Sequence, residues 1–577
     1  MYKRSSLLWV ICTVLIILFG ACNKSTEPET DTQSGNNSGS DTTAVNSKDH
    51  ENAEDYKWTE AEVIPIVLNG NTITVKTTGE TLSGSTFIIT KAGTYSFSGT
   101  LTNGQIIVST EDKAVVRIIL NGANITCNLS APIYIKKAEK TVIVLSDNTT
   151  NVLTDGTAYV LGNAAVDEPN AAIYSKSNLS IFGNGSLKVN GNYNDAIASV
   201  DGLIIKSGNI NVNAVDDGIR GKDYLIVKDG SILVNAKGDG LKSDNSEDAT
   251  KGYISVENGT LAITSAGDGI AAETDAIISG GIISITSGGG SSKTVASTES
   301  AKAVKGLVSV VINGGVININ SADDALHSNK YVTINNGTLS LSAADDGIHA
   351  DAAIKINNGD IKITKSVEGV ESGIITVNNG TLSIVSSDDG FNSTYGEGGE
   401  KNDGSCLYLN GGNISVNTTR GDGLDSNGSI VMTGGTVVVH GPASNPEVGV
   451  DYNGTFNISG GLLACTGPNS GNMIQATSTT SDQYTIKATA TSQVTASTLF
   501  HIQDESGNEI ITFQPVRNFY YIVFSSPALK SGATYTLFTG GTSTGTNTNG
   551  LFTGGTYSGG TQKKSFPISG KVTNVSF

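Results

Sequence analysis

The stretch Ala344-Asp345-Asp346-Gly347-Ile348-His349-Ala350-Asp351 decides the fold, because variants of it return along most of the chain. The position of Asp346 recurs as an acid at Asp195, Asp217, Asp239, Asp268, Asp324, Asp346, Glu368, Asp389 and Asp422. The commonest spacing, as from 324 to 346 and from 346 to 368, is about 22 residues. The longest gap, from 268 to 324, has room for one unmarked repeat at residues 303–307. A repeat of this length predicts stacked units that each contact only their neighbours.

The residues within one repeat predict three short strands. Residues 347–350, 353–356 and 360–364 alternate apolar and polar side chains, and Asn and Gly punctuate them, which is typical of strands separated by turns. We therefore expect an all-β fold, a parallel β-helix whose coils of about 22 residues stack at roughly 4.8 Å. The side chains expected to point inward are Ile348, Ala350, Ile354, Ile356, Ile361 and Ile363.

Stacking the repeats would place the acids in a column. Two unit charges this close repel by about 1 kcal/mol in water and by several at an effective dielectric of about 20. One remedy is a hard cation such as calcium, which accepts oxygen ligands in irregular geometries. The other is turn chemistry, in which an Asp before Gly satisfies its own backbone amides. Both remedies can hold at once. The predicted calcium ligands are Asp217, Asp239, Asp323, Asp324, Asp345, Asp346, Asp351, Glu368, Glu371, Asp388, Asp389, Asp422 and Asp425.

The N-terminal residues predict export and anchoring. Residues 1–21 carry Lys3 and Arg4 before an apolar run, which indicates a cleavable signal peptide. The small residues before Cys22 resemble a bacterial lipobox, with Phe19 where Leu is usual. That resemblance implies that Cys22 carries lipid and that the protein is a cell-envelope lipoprotein at the outer membrane or cell surface. Residues 22–60 are polar and predict a disordered tether.

The remaining chain divides at about residue 470. Residues 61–470 are the predicted solenoid, and loops are expected at 244–251, 288–302 and 392–405. In residues 471–577 the acidic column stops and the strands become longer and more aromatic, so we expect a β-rich region that caps the solenoid. Cys127, Cys406 and Cys465 lack metal-ligand spacing and are predicted to be buried free thiols.

The order of these features resembles a known family. The leader, the tether, the Asn-Gly-rich first coils, the repeated Asp-Gly-Ile/Leu column and the Gly-Gly-rich tail resemble bacterial carbohydrate-binding β-helix domains, over roughly residues 61–577. That family is similar in fold to the family 9 polysaccharide lyases. The resemblance implies a right-handed parallel β-helix, bound calcium, and affinity for cellulose-like or acidic plant polysaccharides.

The lyase relatives hold calcium with an Asp-Asp-Gly-x-Asp pattern, in which a third carboxylate follows the pair. Residues 422–425 and 368–371 fit the part of this pattern in which two acids are three residues apart. Other coils depart from it, with Arg220, Lys242, His349 and Asn392 at the place of the third acid.

Three lysines near the column raise the question of catalysis. A lyase needs a strong base, and Lys222, Lys242 and Lys305 are candidates if their pKa values are lowered. The alternative is that they neutralise neighbouring carboxylates. His327 and His349 are one repeat apart, so they can stack or join a cation site. The predicted substrate-binding residues are Lys222, Lys242, His327 and His349.

Composition restricts the ligand. A net charge of −18 argues against nucleic acid and would repel an acidic glycan unless calcium bridges the two. Trp9 and Trp58 lie outside the predicted solenoid, so it offers no tryptophan platform for crystalline cellulose. The sequence thus predicts a non-catalytic, polysaccharide-binding lipoprotein. A calcium-dependent pectate-type lyase and a structural or adhesin solenoid without glycan affinity are the alternatives.

Overall fold

The fold consists of strands that pair mostly in parallel. A computed structural model describes residue 46 and residues 49–76, 80–82, 84–161, 168–296, 298–396 and 401–577. The helices among these residues are three short 3-10 turns, Ala53–Tyr56, Glu60–Glu62 and Gly471–Met473, and none of the described helices is long and apolar enough to cross a membrane. The prediction of an all-β chain is confirmed.

Three parallel ladders carry the repeats, because a strand pairs with the strand one repeat further on. In the first ladder Ile219 pairs with Leu241, and Leu241 pairs with Ile270. We call the ladders A, B and C, in the order in which one repeat passes through them. Two long strands, Ile348–Ile356 and Val370–Val377, run through both A and B.

Ladder A follows the acidic motif. Its strands are Thr86–Ile89, Gln105–Ser109, Ile133–Lys137, Ala171–Ser175, Asp195–Ser199, Ile219–Gly221, Leu241–Ser243, Ile270–Ala272, Val304–Gly306, Leu326–Ser328, Ile348–Ile356, Val370–Val377, Phe391–Ser393 and Leu424–Ser426.

Ladder B comes next in each repeat. Its strands are Val63–Gly70, Gly93–Leu101, Val116–Cys127, Thr141–Leu145, Leu179–Gly183, Gly202–Ile205, Tyr224–Val227, Tyr253–Val256, Asp275–Ile278, Ser309–Ile312, Tyr331–Ile334, Cys406–Leu409, Ser429–Met432 and Phe456–Ile458, together with the two shared strands. Thr72–Val75 and Glu80–Leu82 add antiparallel strands at its first member.

Ladder C closes each repeat. It begins on the second halves of Val63–Gly70, Gly93–Leu101 and Val116–Cys127. Its further strands are Thr150–Asp155, Ser186–Gly191, Asn209–Ala214, Ser231–Ala236, Thr260–Ser265, Ile282–Ser287, Val316–Ser321, Thr338–Ala343, Asp360–Lys365, Thr381–Ser386, Asn413–Thr418, Thr436–His440 and Leu462–Gly467.

One core of aliphatic side chains runs through the three ladders. All six side chains predicted to point inward are buried, from Ile348 to Ile363. The glycine of the repeated motif is required by close approach between consecutive repeats, each of which we call a coil. A Cβ at Gly369 would lie 2.3 Å from the carbonyl oxygen of Gly390 and 2.4 Å from Ile384 Cγ2. The Asp-Gly pairing therefore reflects packing as well as turn formation.

The turns between ladders B and C carry a stack of asparagines. The Nδ2 of Asn335 donates to Oδ1 of Asn313 at 2.8 Å, and Asn357 donates to Asn335 at 2.7 Å. Asn378 and Asn410 continue the series at 2.8 and 3.0 Å. Each inner amide donates to one neighbour and accepts from the other, so the stack stabilises one turn of each coil.

The last coils join an antiparallel C-terminal region. Phe519–Ser525 pairs with Leu462–Gly467 and with Thr485–Val494, and Val572–Ser576 extends this sheet. A separate six-stranded sheet contains Thr546–Thr548, Leu551–Thr553, Glu509–Phe513, Phe500–Asp504, Thr534–Thr539 and Thr561–Pro567. Thr542–Ser543 and Tyr557–Ser558 form a small hairpin. A second core, rich in phenylalanine, lies between the sheets. Within the described residues, Cys127, Cys406 and Cys465 are free and buried, as predicted.

The N-terminal segment differs from the prediction. Residues 1–21, Cys22 and most of the predicted tether, 22–60, lie outside the described residues. Residues 49–60, however, pack on ladder B and are not a free tether. Asp55 pairs with Lys140 at 2.6 Å, and Trp58 packs edge-on against Phe182 at 6.1 Å. Polar composition alone was misleading here, because charged and aromatic side chains find partners on a preformed surface. Trp58 is therefore part of the folded body.

Candidate functional site: the carboxylate column

The acids of the repeated motif form one column beside ladder A. The strand register gives its members as Asp195, Asp217, Asp239, Asp268, Lys302, Asp324, Asp346, Glu368, Asp389, Asp422 and Val448. Lys302 lies in the repeat that carries no acidic motif. It comes at the end of the predicted loop 288–302, so that residue belongs to the coil. We call this set the carboxylate column.

Each column aspartate accepts a hydrogen bond from a backbone N–H group of the next coil. The backbone N–H of Asp239 donates to Oδ1 of Asp217 at 2.8 Å, and the N–H of Asp268 donates to Oδ1 of Asp239 at 2.8 Å. The same bond joins Asp217 to Asp195, Lys302 to Asp268, Asp346 to Asp324, Glu368 to Asp346, Asp422 to Asp389 and Val448 to Asp422. The expectation that these carboxylates satisfy their own amides is thus corrected, because the amide they accept belongs to the next coil.

A second column lies beside the first, slightly further along each repeat. Its members are Ala198, Arg220, Lys242, Ala271, Lys305, His327, His349, Glu371, Asn392, Asp425 and Asp451. We call it the companion column. Its residues are basic or neutral up to His349, in coils that we call the base half. From Glu371 onward they are acids and one asparagine, in coils that we call the acid half. The base half therefore places mostly basic side chains beside the column carboxylates, whereas the acid half places further carboxylates there.

Lysine neutralises the earlier coils of the base half. The Nζ of Lys242 lies 3.0 Å from Oδ2 of Asp217 and 3.0 Å from Oδ2 of Asp239, so one ammonium bridges two coils. Burial lowers the pKa of Lys242, but these two carboxylates outweigh that effect and hold the pKa above its ordinary value. Lys305 pairs with Asp268 at 3.2 Å. Lys242 is therefore an ammonium ion and not a general base.

Lys302 and the histidines serve the middle coils. Lys302 lies 2.8 Å from Oδ2 of Asp323 and 3.5 Å from Oδ2 of Asp324. His327 Nδ1 contacts Asp324 at 2.7 Å, and its ring stacks on that of His349 with centroids 5.1 Å apart and planes 10° apart. Burial alone would raise the pKa of Asp324. His327 and Lys302 lower it by more than burial raises it, so the pKa lies below its ordinary value. Of the two possibilities that the sequence left open for these histidines, stacking and a shared cation site, the structure shows the stack.

His349 lies where the base half ends. Its Nδ1 is 3.2 Å from Asp346 and 3.0 Å from Glu371, and its Nε2 is 3.2 Å from Asp351. Burial lowers the pKa of His349, but hydrogen bonds to Asp346 and Glu371 raise it to about 11. His349 is therefore an imidazolium beside two acids. It lowers the pKa of Glu371, whereas burial raises the pKa of Asp346 to about 8.

The acid half concentrates carboxylates. Burial raises the pKa of Asp389, and the charge of Asp425 raises it further, to about 9. Burial also raises the pKa of Asp422 to about 8, with contributions from Asp425 and Asp451. Oxygens of Asp422, Asp425 and Asp451 lie within 4.8 Å of one another. Carboxylates this close repel one another when they are ionised, and a bound cation would reduce that repulsion.

Two amide oxygens accompany these acids. Among the described residues, Asn392 Oδ1 and Gln475 Oε1 are buried and lack a hydrogen-bond partner. The Nδ2 of Asn392 donates to Oε2 of Glu368 at 2.9 Å, and the Nε2 of Gln475 contacts Oδ1 of Asp451. A buried carbonyl oxygen without a donor costs free energy, and carbonyl and carboxylate oxygens are the ligands that calcium takes.

Several predicted residues lie at the rim of this arrangement. Asp345, Asp351 and Asp388 are exposed, although an oxygen of Asp345 lies within 4.8 Å of those of Asp323 and Asp324. Lys222 follows strand Ile219–Gly221, and its described hydrogen bonds run through its backbone, to Ser199, Ser243 and Asn245. The structure thus brings Lys242, His327 and His349 to the column but gives Lys222 no described contact there.

Sequence reasoning missed Lys302 and Asp451. Lys302 interrupts the acidic pattern, and Asp451 follows Val448-Gly449-Val450, which lacks the leading acid. Asp451 follows Asp425 by slightly more than one repeat, so a search for acids at the companion position would have found it. Arg220 was noted only as a departure from the pattern, and it pairs with Asp244 at 2.8 Å.

Comparisons with known proteins agree on the family. A family model for the carbohydrate-binding domain-containing protein matches residues 83–347 and 342–508. A carbohydrate-binding domain-containing protein from Acetivibrio thermocellus is 52% identical over 59 residues, which are 10% of this chain and 21% of that protein. The chain thus spans about a fifth of the length of the curated relative that it matches.

A solved structure is also similar. It is that of a polysaccharide lyase-like protein from C. thermocellum, a gadolinium derivative, with 29% sequence identity and a TM-score of 0.37. The similarity covers 52% of this chain and 98% of that one. Because the family model matches more than half of the sequence, the chain belongs to the family of carbohydrate-binding domain-containing proteins.

Proposed function

We propose that this protein is a non-catalytic polysaccharide-binding lipoprotein of the cell envelope. The observation that carries this proposal is the family match, which spans the repeats that build the carboxylate column and continues to residue 508. The ligand is a plant-type or acidic glycan, and calcium stabilises the coils that bind it.

The fold that serves this function is a right-handed parallel β-helix. Supporting it are the three parallel ladders, in which each strand pairs one repeat further on, and the single aliphatic core that they enclose. A crystal structure of the full chain tests the winding and its hand. Ladders that form flat, separate sheets would contradict the proposal.

The calcium site lies in the acid half, at Asp422, Asp425 and Asp451. Their oxygens are close enough to share one ion, and calcium accepts carboxylate and carbonyl ligands in irregular geometry. The buried Oε1 of Gln475, beside Asp451, supplies a neutral oxygen of the kind that such a site uses. In the base half the ammonium of Lys242 already lies between two carboxylates. We therefore place calcium at one end of the column rather than along all of it.

The chemistry of the lysines favours binding over catalysis. A lyase of the pectate type removes a proton next to a carboxylate, which needs a base that is neutral near the working pH. Lys242 has a raised pKa, and Lys305 pairs with Asp268. These lysines act as counter-ions of the column. Formation of unsaturated uronate ends during incubation with polyuronates would contradict the non-catalytic proposal.

Affinity electrophoresis through gels that contain individual glycans tests the function. We expect retardation by at least one polysaccharide when calcium is present and less retardation with a chelator. Asp451→Asn should weaken calcium binding, which calorimetry measures. Asp229→Asn makes the same change at an exposed turn and is the matched control, so it should leave calcium binding unchanged. Migration unchanged by every glycan in the panel, with and without calcium, would favour the structural solenoid instead.

The anchor is tested separately. Cys22 is the lipid acceptor in this proposal, so Cys22→Ser should move the protein from the membrane fraction to the soluble fraction. Membrane association of that variant after removal of its leader would contradict a lipid anchor at Cys22.

A further inference from the structure

Residues 49–58 lie across the outer face of ladder B, and we call them the N-terminal strap. The face beneath it contains the outward side chains of Ile204 and Ile226, which are buried. Phe182, Tyr224 and Tyr253 add aromatic rings at neighbouring positions of the same ladder. Such a face would be largely apolar and aromatic without the strap.

Two lysines on this face pair with acids, and Lys228 also lies 3.4 Å from Glu257 and 3.5 Å from Asp49. Glu51 Oε1 lies 2.9 Å from Lys206 Nζ, and Glu51 Oε2 lies 2.9 Å from Lys228 Nζ. Lys206 and Lys228 occupy equivalent positions on consecutive coils. One carboxylate is therefore held between two ammonium groups that the fold spaces at the coil repeat.

An aromatic ring of the strap lies beside that carboxylate. The ring of His50 stacks on Tyr224, with centroids 3.9 Å apart and planes 11° apart. Its Nε2 is 2.7 Å from the hydroxyl of Tyr253, whose ring is 5.9 Å from that of Tyr224. His50 and Glu51 thus present a flat ring with a neighbouring carboxylate to two tyrosines and two lysines.

We propose that the outer face of ladder B is a binding groove for uronate-containing oligosaccharides, and that the N-terminal strap occupies it as an intramolecular stand-in. A uronic acid combines a ring that stacks on tyrosine with a carboxylate that pairs with lysine. His50 takes the place of the ring and Glu51 that of the carboxylate. This inference rests on the proposed function and adds the groove that binds the glycan and its regulation by the strap.

The strap and the ligand then compete for the same groups. A ligand that binds only when the strap is released has its apparent affinity reduced by the fraction of open molecules. Weakening the strap raises that fraction without touching the groove. Because the strap is part of the same chain, it competes at a high effective concentration.

The test uses the full chain with His50→Ala and Glu51→Gln combined. Calorimetry with oligogalacturonate should show affinity raised about tenfold or more over the unchanged protein. Limited proteolysis within residues 49–58 should become faster, which reports release of the strap. Glu54→Gln is the control, because the side chain of Glu54 pairs with Lys57 on the exposed side of the strap.

Two further measurements make the result decisive. Adding Lys206→Ala and Lys228→Ala to the open variant should abolish the gain, and a neutral cello-oligosaccharide should show no comparable gain. A synthetic peptide of residues 46–60 should compete with oligogalacturonate for the open variant. Faster proteolysis without any gain in uronate affinity would overturn the inference and leave the strap a structural clasp. Glycan binding by the unchanged protein would stand in that case, so the two proposals fail separately.

Discussion

The base half and the acid half of the column use one backbone arrangement with opposite companions. Lys242 bridges Asp217 and Asp239, whereas Asp425 stands at the equivalent position beside Asp389 and Asp422. In both halves a column carboxylate accepts the amide of the next coil. The coil-to-coil bond is thus common to the column, and one residue per repeat decides how its charge is compensated.

The difference also explains why the column aspartates carry two roles. Oδ1 of each column aspartate accepts a backbone N–H of the next coil. Its Oδ2 is therefore the oxygen that can pair with a lysine, a histidine or a metal ion. Where the companion is a base, the site is complete within the protein. Where it is an acid, burial and the charge of Asp425 raise the pKa values of Asp389 and Asp422, and a divalent ion can compensate them. Burial also raises the pKa values of Asp217 and Asp346, so the two halves differ in the charge of the companion and not in burial.

The largest expected effect comes from breaking the base half. Lys242→Met leaves the buried carboxylate of Asp217 and the partly buried carboxylate of Asp239 without their ammonium, which should lower the free energy of unfolding by about 3–5 kcal/mol. Urea denaturation at neutral pH measures this loss. The control is Lys222→Met, which should cost less than about 0.5 kcal/mol. Equal and small losses in both variants would mean that charge compensation does not hold this half together.

The second prediction contrasts a column histidine with one outside the column. Burial lowers the pKa of His440 to about 4, although its Nε2 donates to the carbonyl oxygen of Asn549 at 3.0 Å. Its folded-state pKa lies below the unfolded value of 6.5, so the unfolded state binds more protons between these values. The stabilisation is complete above about pH 6.5 and is lost as the pH falls through 4, by about 3 kcal/mol.

The measurement is urea denaturation of the protein and of His440→Gln across this pH range. The variant should lack the pH-dependent difference, whereas His349, with its raised pKa, should stay protonated through pH 8 by NMR. A His440 resonance that titrates near 6.5 in the folded protein would contradict the prediction.

The third prediction converts the acid half into the base half. Asp425→Lys places an amine at the position of Lys242, between Asp389 and Asp422. Calcium at one hundred times its dissociation constant should stabilise the unchanged protein by about 2.7 kcal/mol, and the variant should lose this dependence. Thermal melts with calcium and with a chelator measure it. Asp229→Lys makes the same charge change at an exposed turn and should keep the response. Retained calcium dependence in Asp425→Lys would remove the site from these coils.

The smallest effect tests whether burial makes the column pairs important. Lys113 and Glu139 pair at 3.1 Å, but the Lys113 side chain is 88% exposed, against 30% for Lys242. Lys113→Met should therefore change the free energy of unfolding by less than about 1 kcal/mol, and added salt should reduce even that. A loss as large as that of Lys242→Met would show that exposure does not separate the two pairs.

The repeat length and the alternation of apolar and polar side chains could be predicted from the sequence, because both depend on neighbouring residues and recur along the chain. Alternation around Ile354 and Ile361 fixes which side chains face inward, and the constant repeat length fixes which acids become neighbours. The companion role of Lys242 was an open alternative, since spacing does not tell where a flexible side chain ends. The docking of residues 49–60 was not predicted, because polar composition says nothing of a distant surface with matching charges.

The sequence by itself determined the all-β class, the repeat length, the inward-facing side chains and the existence of an acidic column. These follow from period-two alternation and from stacking of identical units, which depend on near neighbours only. Tertiary structure alone decided that Oδ1 of each column aspartate holds the next coil, that Lys302 fills a gap in the column, and that Glu51 lies between Lys206 and Lys228. Each of these contacts joins residues separated by roughly one repeat or by many, so its geometry is set by how the coils stack and not by the local pattern.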